Sequence, residues 1–426
     1  LCSTSFGQVN MELSSDSYLT KQESRETLDQ HFTEYKLISI SEDILQEVSD
    51  SRSPKIDLKL KLEGVDIALG TLEEHQTVKK EDISVWRNGA MIPYTGDMPK
   101  TFTSRSGDQA NRAILTISSG YFSGYIKQDN DVLIIEPLRK WVSDARPGQL
   151  VLYEPKHMRD TEPGVCGVEP DPSAPVLKQV EQSRTTTTLP GLILDLLAVA
   201  DIEFYSIHGE QTVAAVTAIF DIMNGLYLSN DIGLTFELSV MVFDIEDPYT
   251  PLMVGGSADA GDLLSQFTSW ADNTPGLPPH GTAQLFSGFD FDGSTVGLAW
   301  VGTTCNVNYN TGINEMLSSN AFNASTLAHE IGHGLSAQHD ASGNACPSSG
   351  FIMSAFSSES NPATEFSTCT EDYFLNFYNS GGLSCAQAAP LYTWQAGAWG
   401  ACSVECGGGT QTRSVTCIDA EGNVVA

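Results

Sequence analysis

Residues 329–340 read HEIGHGLSAQHD and gather three of the chain's eight histidines within eleven positions. On a helix, positions four apart share a face, so His329 and His333 point the same way and suit a single Zn²⁺. Glu330, next to the first imidazole, can reach a water at the same spot without being a ligand. His339 can join the pair only if the helix stops after His333 and the chain turns back sharply. The stretch therefore demands a helix, a stop and a turn in fixed order. Three imidazoles leave a fourth position open, which is what a catalytic zinc site needs and a structural one does not. HExxH alone fits many ordinary amphipathic helices; the third histidine makes that reading a poor one.

The rest of the chain bounds what can surround such a site. Its 426 residues leave room for two or three domains, and 41% hydrophobic content is ample for real cores. No apolar run approaches the length of a membrane span. The first residue is Leu1 and no apolar leader follows it, so a fragment of a longer precursor is expected. The net charge of −32 is unevenly spread: 21 of 22 Lys and Arg lie between Lys21 and Arg184. From Thr185 onward the only basic residue is Arg413, against 25 acidic ones. This shift marks a boundary near Arg184. An acidic surface argues against nucleic acid or anionic membranes as partners. It reads as a solvated face that favours solubility, or as adaptation to salty water. Seven of nine cysteines follow residue 300, which predicts a disulfide-stapled and hence secreted C-terminal half.

Residues 1–155 read as β-rich, with strand-like Lys55–Leu62, Ala113–Ile117 and Asp131–Pro137. Residues 157–190, rich in Pro, Thr, Ser and charge, read as an exposed connector. Beyond Leu189 the pattern becomes α/β. Strands are expected at Leu192–Ala200, Leu234–Phe243, Thr282–Phe286 and Val296–Gly302. Helices are expected at Thr212–Tyr227, Ala258–Trp270, Ser325–Leu335 and Phe366–Tyr378, with Asn323 or Ser325 capping the histidine helix. From Thr393 the chain turns to Trp, Gly and Cys, the signature of a small disulfide-dependent module.

HEIGHGLSAQHD, followed by Met353 in FIMSA, resembles the metzincin metalloproteases, in which a methionine turn lies beneath the zinc site. Asp340 after the third histidine is similar to the adamalysin/reprolysin branch. The resemblance extends through 189–390, in LAVAD (197–201), HGTAQLFSG (280–288) and GLAWVGTTC (297–305). It implies an α/β (α+β) catalytic domain with a mixed twisted sheet and a zinc helix. Zn²⁺ would sit on His329, His333 and His339, with Glu330 as general base and Met353 and Asp340 in structural roles. It also implies disulfides Cys305–Cys385 and Cys346–Cys369. One position departs from the family: Ser336 stands where a glycine usually permits the left-handed turn after the helix, and either Ser336 adopts it at a cost of about 1 kcal/mol or Gly334 shifts it. The family's structural calcium would use Asp195, but Gly281 and Ala388 offer no ligating side chains, so no calcium is expected there.

Cys166, in EPGVCGVEP, is the one cysteine between Cys2 and Cys305. It reads either as a free loop thiol or as a fourth zinc ligand holding the enzyme latent. CGV followed by an acid resembles the cysteine switch of metalloprotease propeptides, and Gly167 would let the backbone lie close in the cleft. Residues 1–184 then read as a β-rich propeptide, released by cleavage at Arg184 or by autolysis nearby. WQAGAWGACSVECGGGTQTRSVTC (394–417) resembles a thrombospondin type 1 repeat, with Trp394 and Trp399 alternating with Arg413. Only Cys402, Cys406 and Cys417 of six expected cysteines are present, so a partial repeat over 393–426 is expected. Glu405 replaces the hydroxyl residue that would carry O-fucose. The arrangement resembles the ADAMTS proteins.

The expected function is a secreted zinc metalloendopeptidase made as a zymogen. Its partners would be polypeptide substrates of the extracellular matrix or a cell wall. A substrate would lie extended along an edge strand near Gly297–Gly302. The alternatives are an inert matrix or adhesion protein that binds through its repeat, and a zinc amidase acting on a non-protein bond. Asn323-Ala324-Ser325 is a possible N-glycan sequon.

Overall fold

The computed structural model describes residues 9–15, 22–62, 65–104, 111–128, 131–159, 164–170, 188–390, 393–401, 403–404, 409–418 and 424–425. Arg184, Glu405, Cys2, Cys402 and Cys406 lie outside the described residues.

The alternating residues of the first 155 positions build a closed barrel of nine strands. Around its wall run Val9–Ser15, Lys36–Ser39, Gln149–Tyr153, Asp131–Pro137, Tyr121–Gln128, Asn111–Ser118, Lys100–Ser104, Val65–His75 and Lys55–Leu62. The period-2 pattern gives the wall an apolar inner face, and the strands Asn111–Ser118, Tyr121–Gln128, Asp131–Pro137 and Gln149–Tyr153 carry a second apolar face outside. One face, including Leu13, Ile38, Leu58, Phe102, Leu115 and Ile135, fills the barrel. The other, including Ile114, Tyr121, Tyr125, Ile134 and Tyr153, packs outward into the core of the next unit. Burial of both faces explains why these strands read as near-continuous apolar runs.

The second unit is built on a ten-stranded mixed sheet. Its centre holds Thr282–Ser287, Leu192–Ala200 and Leu234–Phe243, all parallel. Thr311–Glu315 continues parallel to Thr282–Ser287, and Thr295–Val301 pairs antiparallel to it. Leu192–Ala200 and Leu234–Phe243 have the bounds expected from sequence, because an apolar run between turn signals fixes a buried strand. Helix Thr212–Ser229 lies between sheet and barrel and buries nearly every residue, as an all-round apolar helix must. Together with the turn before it, the stretch Ile202–Ser229 is long and apolar enough by composition to cross a membrane, which corrects the expectation that no such run exists. Its most apolar window is 83% buried inside the protein, which marks it as a core element.

The N-terminal segment supplies one end of this sheet and the last-but-one strand at the other. Ile83–Arg87 pairs parallel with Leu234–Phe243 and is backed by Ala90–Pro93. At the other end, Gly164–Pro170 pairs parallel with Thr295–Val301 and antiparallel with Phe356–Ser357. The expected exposed connector over 157–190 is therefore corrected: its portion 164–170 is a strand, imposed by pairing partners more than a hundred residues away.

The histidine helix runs Asn320–Gly334 and begins five residues before the expected Ser325. Its cap is Ser319, whose side chain accepts from the Phe322 N–H, and not Asn323 or Ser325. Asn323 lies inside the helix, accepts from Leu317 N–H and donates to Leu317 O, and is only 2% exposed, which leaves no room for a glycan. At the C-terminal end Thr393–Ala396 pairs with Val415–Ile418, and the Arg413 guanidinium lies 4.7 Å from the Trp399 ring centroid.

Candidate metal centre

The histidine helix turns His329 and His333 toward the segment that follows it, where Ile352 and Ala337 meet them, and the chain stops and folds back as their spacing requires. The stop falls at Ser336, which takes φ = +75°. The left-handed residue is thus Ser336 itself, and Gly334 remains the last helical residue. Backbone bonds seal the turn: Ala337 N–H donates to Gly332 O at 3.0 Å and Ser336 N–H to His333 O at 2.8 Å. From there the chain carries His339 back over the helix.

The three Nε2 atoms converge at 2.9 Å (His329 to His333), 3.2 Å (His329 to His339) and 3.3 Å (His333 to His339). His329 Nδ1 lies 2.6 Å from Ile352 O and His333 Nδ1 lies 2.8 Å from Ala337 O. Each carbonyl calls for a proton on Nδ1, so both Nε2 atoms face inward as lone pairs. Burial pushes the His329 pKa down to about 3 and that of His333 well below the usual value, with neighbouring imidazoles adding to the shift. Neutral imidazole nitrogens facing one another cannot satisfy each other; a cation can satisfy all three. A tetrahedral ion about 2.0–2.1 Å from each nitrogen needs them about 3.3 Å apart, close to the spacing found. The residues present fit zinc.

Glu330 is completely buried beside this point; neither carboxyl oxygen has a nitrogen or oxygen partner, and the group that faces it as a donor is the Cys166 thiol. Burial pushes its pKa well up. The carboxyl has space because Gly297, on the neighbouring strand, lacks a side chain. A Cβ there would sit 2.3 Å from Glu330 Oε1. Gly297 was invisible as a functional position in the sequence, where it read as an ordinary strand residue; the one signal was a glycine inside an apolar strand.

Cys166 is 3% exposed, and its sulfur, one nitrogen of His329 and an oxygen of Glu330 all lie within 4.8 Å of one another. Its strand approaches closely because Gly164 and Gly167 lack side chains: a Cβ would fall 2.8 Å from Val296 Cγ1 and 2.6 Å from Leu298 Cδ1 respectively. Burial, then Glu330, raises the thiol pKa; a nearby divalent cation would act in the opposite direction. The strand expected to receive an extended peptide, Thr295–Val301, is thus paired along its free side by the chain's own 164–170. A cleft of about 350 Å³ opens beside Cys166 and His329, lined also by Thr326, Ile352, Ser354 and Phe356.

Met353 lies beneath the helix: it is fully buried, and a Cβ on Gly332 would meet its sulfur at 2.5 Å. Asp340 ties three segments together. Its N–H donates to Met353 O at 2.9 Å, and its carboxylate accepts from Ser367 Oγ at 2.6 Å, at the cap of helix Thr368–Asn379. Disulfides join Cys305 to Cys385 and Cys346 to Cys369. Among the described residues Cys166 and Cys417 are free.

Comparison with known families gives two matches. Residues 193–390 match the model of the Reprolysin (M12B) family zinc metalloprotease. Residues 394–426 match that of the thrombospondin type 1 domain of the ADAMTS kind.

Proposed function

Because this chain is an ADAM/ADAMTS-like metzincin, with a reprolysin zinc metalloprotease domain followed by a thrombospondin type 1 domain, we propose that it is a secreted endopeptidase held latent by its own N-terminal segment. The observation that carries the reading is the convergence of three imidazole Nε2 atoms beside a fully buried carboxyl. His329, His333 and His339 would hold the ion. Zinc bound there supplies Lewis acidity toward the scissile carbonyl and the attacking water.

The chain's own residues do the rest. Glu330 takes the proton of the attacking water and passes it to the leaving amine. Its buried position and Gly297 hold the carboxyl beside the imidazoles and keep bulk water from competing for it. The polypeptide lies extended along Thr295–Val301, where main-chain pairing aligns it. In the latent form the 164–170 strand takes that place, and Cys166 would serve as a further ligand to the ion and so hold off the attacking water. The reading takes residues 1–184 as propeptide, 189–390 as the protease and 393–426 as a partial repeat. The substrates are extracellular matrix or cell-wall proteins.

The test is proteolysis of casein or a peptide library by activated protein, with and without a chelator, beside Glu330→Ala. Activity should vanish with the chelator and fall by about 10²–10⁴-fold in the mutant. Equal cleavage by wild type and mutant would reject the mechanism.

A further inference from the structure

We infer that the N-terminal barrel is a lasting subunit of the enzyme, and that activation displaces the Cys166 strand while the barrel stays docked. This rests on the latent-protease reading but concerns a different surface.

The barrel and the protease share one core. Tyr125, Ile134 and Tyr153 of the barrel belong to the same buried cluster as Val213, Phe220 and Leu226 of helix Thr212–Ser229. Departure of the barrel would expose that helix along a whole side. Such a surface is far more apolar than the partner-free face of a soluble protein.

Polar groups are committed to the same contact. Glu136, fully buried, accepts from the Asn320 N–H at 2.6 Å and from Tyr153 OH at 3.0 Å. It thereby sets a carboxylate at the N-terminus of the histidine helix, where the helix dipole favours an anion. Lys140 pairs with Glu136 at 3.2 Å and donates to Ser318 O and Asn320 Oδ1 at 2.5 and 2.9 Å. Three strands further along the barrel wall, Asp221 accepts from Thr77 and Thr101 at 2.6 and 2.5 Å. Stripping the barrel would leave Asn320 and Asp221 without these partners.

The far edge of the sheet is covered as well. Ile83–Arg87 pairs with Val240–Phe243. Trp86 packs edge-on against Trp270 at 5.8 Å, and Arg87 donates to the Asp244 carboxylate. An uncovered apolar edge strand would invite aggregation.

The Cys166 strand is held far more lightly. Its buried cluster contains only Cys166, Val296 and Phe322, with Leu317 partly buried against it. Backbone pairing with Thr295–Val301 and Phe356–Ser357, and the Cys166 thiol against Glu330, add to that hold. Barrel contacts end at Arg159, whose N–H donates to His31 O at 2.7 Å. The strand can leave its groove without disturbing any barrel contact named above.

The experiment places a specific protease site at residues 185–188 of the full chain, cuts it, and runs size-exclusion chromatography without denaturant. The two fragments should co-elute near the 45.9 kDa of the intact chain. With Cys166→Ala added, that co-eluting complex should cleave peptide. A C-terminal fragment that elutes alone and keeps its near-ultraviolet circular dichroism would overturn the inference. So would a complex that stays inert until the barrel is stripped and then cleaves. If no form cleaves peptide, the protease reading fails, while co-elution still decides whether the barrel stays.

Discussion

Gly297 and Glu330 occupy one shared space: the side-chain position that Gly297 leaves empty is filled by the Glu330 carboxyl, 2.3 Å from where a Cβ would stand. Gly297→Ala therefore displaces the carboxyl while leaving all three imidazoles in place. The activated enzyme should lose about 10²-fold or more in kcat, because a base moved out of proton-transfer reach gives up the gain of general-base catalysis. Zinc content, measured by atomic absorption, should remain one per chain. Loss of metal together with activity would show that Gly297 supports the histidines and not the base.

Ser336 stands at φ = +75°, in the left-handed turn that releases His339 from the helix. A non-glycine residue there is strained by about 1 kcal/mol. Ser336→Gly should raise the thermal midpoint by roughly 2–4 °C, the shift expected of that energy in a domain of this size. Calorimetry checks it; an unchanged or lower midpoint would mean that the serine side chain gives back what the backbone loses.

The three-histidine cluster was legible in the sequence because its geometry is local: four residues of helix and one turn bring His329, His333 and His339 together. Leu192–Ala200 was legible for a similar reason, as an apolar run bounded by turn residues. What escaped was set from afar. The first turn of the histidine helix has unremarkable propensity, and its start depends on Ser319 and on Glu136, 184 residues away along the chain. Gly164–Pro170 carries two glycines and a proline, as a loop would, and only its pairing with Thr295–Val301 makes it a strand. Ile83–Arg87 falls in a stretch that the sequence marks only as β-rich, and nothing in its residues says that it pairs with the protease sheet.

Asp221 makes the barrel contact sensitive to pH. Burial raises its carboxyl pKa from 3.8 to about 7, although the Thr101 and Thr77 hydroxyls and, more weakly, Arg112 favour the ionised form. A raised pKa means that the assembled state binds the proton more tightly than the separated one. The contact is therefore at full strength below about pH 4, weakens as pH rises toward 7, and is flat above that. For the cut complex, Kd should rise on the order of a hundredfold or more between pH 4 and pH 7. Asp221→Asn, which cannot ionise, should lose most of that slope. Fluorescence titration of the two fragments measures it; parallel pH curves for wild type and mutant would remove Asp221 as the cause.

Cys166 is the one described free thiol that is buried, and its place against His329 and Glu330 makes a sharp prediction for the uncut chain. Cys166→Ala removes the sulfur but keeps every backbone bond of the strand. The strand then competes for the groove by pairing alone, and a polypeptide substrate can displace it. Uncut Cys166→Ala should cleave a quenched-fluorescence peptide at a rate at least tenfold above the uncut wild type. Its KM should be higher than that of the activated enzyme, because the strand still competes for the same edge, while kcat should match. A mutant as silent as the wild type would show that latency comes from the strand's backbone and not from its thiol.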